Sequence, residues 1–134
     1  MLSLDGKTAL LIHFHGGTWL PEVAAARHGK TAVISVQLGS GSSAYAKPFS
    51  DPGRFSVLLK EAEEKAGTKF GPVTLTAWSA GYGAVREIVK VPENYDRVAN
   101  VLLFDGLHTG YAGGKPGPQE SQLETENLQV FLTF

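Results

Sequence analysis

Pro72-Val-Thr-Leu-Thr-Ala-Trp-Ser79-Ala-Gly81-Tyr-Gly83 is an apolar, β-branched run that reaches a serine and then breaks into small residues and a helical pattern. Val73 to Trp78 reads as a strand. Ala80 to Val89 reads as the helix behind it, packed through Ala84, Ile88 and Val85. A serine at such a strand-to-helix turn projects its hydroxyl out of the sheet, and small neighbours are needed because the turn has no room for larger ones. A serine that merely caps a helix after a buried strand fits the same residues. The rest of the chain favours the first reading.

Working outward, the same alternation repeats. Thr8 to Phe14 is a continuous apolar run ending in His-Gly-Gly, a buried strand that feeds a loop. Pro21 suits the first position of a helix over Glu22 to Arg27, with Gly29 just past its end. Thr31 to Gln37 is a second strand, and Leu38 to Pro52 reads as a long Gly/Ser-rich loop. Asp51-Pro52 resembles a cap and a first helical residue. Phe55, Leu58, Leu59, Ala62 and Ala66 then lie on one helical face, with Glu61, Glu63, Glu64 and Lys65 on the wet side. Val98 to Phe104 is a fourth strand leading to Asp105. Gly106 to Pro118 holds five glycines and two prolines, which makes it a loop. A last helical pattern begins near Glu120. Strands alternating with helices predict an α/β three-layer sandwich with a mostly parallel sheet and helices on both faces.

The chain has 134 residues, 43% of them apolar, and a formal charge of -1, which suits one ordinary domain over residues 1–134. Lys and Arg form no stripe, so no nucleic-acid partner is expected. The absence of Cys excludes disulfides and thiol chemistry but leaves the compartment open. Met1 to Asp5 leads into the first strand without a basic start or a cleavage site, which leans towards the cytoplasm. The apolar runs are too short to span a bilayer, so no membrane partner is expected. The final pattern stops within its apolar periodicity at Phe131-Leu-Thr-Phe134, as in an incomplete domain that needs the remainder of its own chain or self-associates.

Three features converge on the carboxyl ends of the strands, where open parallel sheets place their sites. The first is His13-Phe-His15-Gly-Gly-Thr18-Trp19. Its Gly-Gly pair leaves backbone N–H groups unobstructed, as a developing oxyanion requires. The second is Ser79, with the Ala80 amide opening the next helix. The third is Asp105, a carboxylate that needs a partner such as a histidine N–H if it is buried.

This arrangement resembles the α/β-hydrolase family, over nearly the whole chain, as that family's third to sixth strands. The resemblance implies a local sheet order of 4-3-5-6 in family terms, with Thr8–Phe14 and Val73–Trp78 as central parallel neighbours. It implies a serine hydrolase of ester or related acyl substrates. Ser79 would be the nucleophile, Asp105 the acid of the triad, and Gly17 or Thr18 with Ala80 the oxyanion donors. Ala77-Trp-Ser-Ala-Gly81 has Ala where the family's usual elbow has Gly. The family's catalytic histidine follows its last strand, so here it is expected beyond Phe134, and the 134 residues alone are expected to have little activity. A catalytically inactive binding or interaction domain of the same architecture is the alternative.

Among the four histidines, His13 and His15 adjoin the proposed oxyanion loop and suit pocket-shaping or structural hydrogen bonds. His28 ends a helix, where a cation is favoured. His108 is a weak alternative base, because three residues from Asp105 it is badly placed both to take support from it and to reach Ser79. A zinc site from His13, His15, Asp105 and His108 would need the strand to persist through both His13 and His15, and Gly16-Gly17 argues that it is already breaking there, so no metal and no cofactor are expected. His15, Trp19, Tyr45, Phe49 and Tyr82 are the candidate substrate contacts. For each aromatic, ordinary packing is the competing role, as it is for Trp78.

Overall fold

The computed structural model describes residues 7–114 and 122–134. Among them, four strands form one parallel sheet: β1 (Thr8–Phe14), β2 (Thr31–Val36), β3 (Phe70–Trp78) and β4 (Val98–Phe104). Their order is β2-β1-β3-β4. The two central strands are therefore β1 and β3, parallel neighbours with Phe14 opposite Ala77, as the sequence reading expects.

The helices are α1 (Trp19–Arg27), α2 (Ser42–Phe49), α3 (Arg54–Ala66), α4 (Tyr82–Val89) and α5 (Glu126–Thr133). Side chains alternate across each strand. Leu10, Ile12 and Phe14 of β1, with Val73, Leu75 and Ala77 of β3, face one core, and α2, α3 and α4 close over it through Tyr45, Phe49, Phe55, Leu59, Ala84 and Ile88. Burying a large apolar side chain of this kind contributes roughly 1.5–3 kcal/mol. α1 lies on the opposite face, against β2 and β1. The result is a three-layer α/β sandwich.

One stretch differs from the sequence reading. The predicted loop over 38–52 contains α2. Gly41, in extended backbone, opens this helix, and Tyr45 and Phe49 sit one turn apart on its buried face. Phe49 meets Phe14 edge-on, with ring centroids 5.4 Å apart. Pro48 lies within the last turn of α2, so it does not prevent the helix. The final helix runs over Glu126–Thr133. The end of the predicted glycine-rich loop (115–118) and the expected helix start (120–121) lie outside the described residues. No helix among the described residues is long and apolar enough to cross a membrane.

α2 and α4 pack closely because Gly83 has no side chain. A Cβ there would stand 2.4 Å from the Ser42 carbonyl oxygen. Together the two helices form the wall behind the turn that follows β3.

Candidate active site

β1 connects through α1 to β2 on one side, whereas β3 connects through α4 to β4 on the other. The chain thus reverses direction between β1 and β3. In open α/β sheets the crevice outside the carboxyl ends at such a point is where ligands bind. The residues at that point are His15-Gly16-Gly17 after β1 and Ser79-Ala80-Gly81 after β3.

Ser79 adopts a left-handed backbone with φ +43°. This region is uncommon for a residue with a side chain, costs on the order of 1 kcal/mol or more, and persists only where its surroundings impose it. Here they do. Ser79–Gly81 forms a single 3₁₀ turn between β3 and α4. The turn sits directly on the end of β1, where a Cβ on Gly81 would lie 2.1 Å from the Phe14 carbonyl oxygen. The small residue at 81 is required by close approach, since its own φ of -61° is ordinary. Ala80 is buried beside it. Among the described residues the Ser79 hydroxyl has no hydrogen-bond partner and no Ser–His–Asp triad is joined by hydrogen bonds.

The loop after β1 is anchored from below. His15, also left-handed at φ +65°, donates its backbone N–H to the Val36 carbonyl at 3.0 Å. Its Nδ1 lies 2.8 Å from the hydroxyl of the fully buried Tyr45. Gly16, at φ +98°, fits against Trp78, whose Cβ would be 3.3 Å from a Cβ at that position. The exposed Trp19 indole folds back over Gly17, since a Cβ on Gly17 would meet its Nε1 at 2.7 Å. Thr18 is exposed at the start of α1.

His13, one strand position below, is buried. Its Nδ1 is 2.7 Å from the Thr76 hydroxyl on β3, and among the described residues its Nε2 has no hydrogen-bond partner. Desolvation pushes this imidazole below the ordinary histidine value. The neighbouring His15 backbone opposes the shift, and the His15 charge adds to it. Thr76 as the partner of His13 was missed at the sequence level, because pairing across strands depends on register and not on spacing.

Asp105 is exposed at the tip of β4 with φ +51°, and Leu107 follows at φ +65°. These two left-handed residues turn the loop back on itself. His108 Nε2 consequently meets the Asp105 backbone carbonyl at 2.5 Å, and its ring rests edge-on against Tyr82 at 5.5 Å. Tyr82 is itself buried, with the Arg86 guanidinium over its ring at 5.5 Å. Phe49 and Tyr45 are likewise buried in the core, whereas Trp78 is 46% exposed and stacks on Phe104 at 6.4 Å. No group of three or more metal-ligating side chains among the described residues is placed to hold an ion.

Neither a protein-family profile nor a curated protein matches this chain. The architecture is consistent with α/β-hydrolase-like folds and is not specific to them.

Proposed function

We propose that the protein is a serine hydrolase of carboxylic esters or related acyl compounds, with Ser79 as its nucleophile. The reading rests chiefly on one observation: Ser79 is held in left-handed backbone at the tip of a central strand, at the sheet's reversal point, with a hydroxyl that has no hydrogen-bond partner among the described residues. In this reading Ser79 Oγ attacks the acyl carbon as its proton passes to a histidine. The backbone N–H groups of Gly17 or Thr18 and of Ala80 take the negative charge that develops on the carbonyl oxygen. The alcohol leaves with the proton, and water then cleaves the acyl-serine. Asp105 is the carboxylate that orients the imidazole. His108, turned onto its own loop, is poorly placed to be that imidazole. His15 and Trp19 are the candidate substrate contacts nearest the crevice. Tyr45, Phe49 and Tyr82 act on substrate only through the residues they support.

The second reading is a non-catalytic binding domain of the same architecture. It is favoured by the lack of a hydrogen-bonded triad among the described residues. Acylation by p-nitrophenyl butyrate separates the two. The activated leaving group lets a weakly assisted serine react once even where deacylation is slow. A burst of about one equivalent of p-nitrophenol, absent in Ser79→Ala, is the expected result for a nucleophile. A folded wild-type protein with no burst supports the binding domain.

A further inference from the structure

Tyr45 is wholly buried, yet its hydroxyl has three partners. It lies 2.8 Å from His15 Nδ1, 3.2 Å from the Leu38 backbone nitrogen and 3.1 Å from the Gly39 carbonyl oxygen. A phenol has one proton to donate and can accept two. With all three bonds made at once, the phenolic proton goes to the Gly39 carbonyl, which can only accept. The Leu38 N–H can only donate, so it fills one lone pair. One lone pair remains for His15, whose Nδ1 must therefore carry a proton. A neutral His15 is then the Nδ1–H tautomer, with Nε2 as its acceptor.

The same ring belongs to a residue in disfavoured left-handed backbone, directly before Gly16 and Gly17. Two hydrogen bonds hold that conformation at His15: the backbone bond to Val36 and the ring bond to Tyr45. Tyr45 meanwhile ties the loop after β2, through Leu38 and Gly39, to α2, which packs on α4 behind Ser79. One buried hydroxyl thus links the loop that bears the proposed oxyanion donors to the wall behind the proposed nucleophile.

We propose that Tyr45 and His15 form a positioning pair. Tyr45 locks the tautomer and the left-handed backbone of His15, and so fixes where the Gly16–Gly17 amides stand relative to Ser79. The pair acts through the loop, and its kinetic consequence rests on the Ser79 reading. Misplacing an oxyanion donor by an ångström is enough to slow a reaction by about 100-fold.

Two measurements on the full chain test this. In the first, ¹⁵N NMR of the histidine rings is expected to show His15 protonated at Nδ1 and bare at Nε2 in neutral solution. In Tyr45→Phe the tautomers mix and the Gly16 and Gly17 amide signals move. An Nε2–H tautomer in the wild type, or unmoved glycine signals in the variant, overturns the pair. In the second, the acylation burst is timed at saturating p-nitrophenyl butyrate. Tyr45→Phe and His15→Ala should each slow it about 10- to 100-fold with KM little changed. The double variant should be no slower than the worse single one. His15→Asn, which tolerates positive φ and can still donate to Tyr45, should recover most of the rate. A burst that Tyr45→Phe leaves unchanged, with the protein folded, overturns the pair while supporting Ser79 as nucleophile. The expected tautomer and amide shifts with no wild-type burst support the pair as a loop anchor and contradict the nucleophile.

Discussion

At Ser79 the backbone and the side chain make separate demands, and substitution can tell them apart. Its φ of +43° is unfavourable for any residue with a Cβ, whereas glycine adopts it freely. Ser79→Gly should therefore be more stable than Ser79→Ala by about 1 kcal/mol in denaturant unfolding, although both lose the hydroxyl. Equal stabilities would mean that the turn is not strained in solution. At Gly81 the constraint is packing: the missing Cβ would sit 2.1 Å from the Phe14 carbonyl oxygen, so Gly81→Ala should cost about 3 kcal/mol. His13 provides a pH signature. Its pKa is lowered in the folded state by burial, so the stability it contributes is complete above its unfolded value of about 6.5 and is lost as pH falls through the lowered folded value. The drop in melting temperature from pH 7.5 to pH 5 should shrink in His13→Gln. An unchanged drop would assign the pH dependence to other groups. The small residues after Ser79 were legible as a turn signal in the sequence. The roles of Thr76 and Tyr45 were not, because one depends on strand register and the other on a helix that the local sequence conceals.

The strands were the most legible elements, since Thr8–Phe14 and Val98–Phe104 are continuous apolar runs with clear ends. Their order came from likeness to a family, because local pattern does not specify which strands pair. α2 was concealed by its own composition. Gly39-Ser-Gly-Ser-Ser and Pro48 are loop residues by propensity, and an eight-residue helix owes its stability to packing. Tyr45 and Phe49 provide that packing, one turn apart on the buried face. Phe49→Ala should therefore destabilise the protein by about 3–5 kcal/mol. It should also remove protection from hydrogen exchange across Ser42–Phe49 before the strands lose theirs. A loss below 1 kcal/mol would show that α2 is only loosely attached to the core. The loop after β4 was legible from its glycines, but its direction was not. The left-handed residues Asp105 and Leu107 are non-glycine positions that nothing in the local sequence marks, and they turn His108 onto the loop's own backbone.

Over the whole molecule, the two faces of the sheet are unequally covered. One face holds the core, while on the other α1 lies beside β1 and β2. Trp78 is 46% exposed and Leu102 and Phe104 are each 44% exposed there, and a trough of about 480 Å³ runs between Leu102, Phe104 and α1. β4 also carries no charge and no proline along its length, so it lacks the usual protection against edge pairing. Self-association is therefore expected, with a sedimentation coefficient that rises with protein concentration and falls back in Leu102→Lys. A single monomeric species at all concentrations would show that this face is tolerated in water. That the tip of β3 presents a reactive serine is tested by treating the folded full-length protein with a fluorophosphonate and mapping the adduct by mass spectrometry. One adduct is expected, on the peptide that contains Ser79, and none in Ser79→Ala. An unmodified Ser79 in protein shown to be folded, or an adduct that persists in the variant, would contradict Ser79 as the nucleophile.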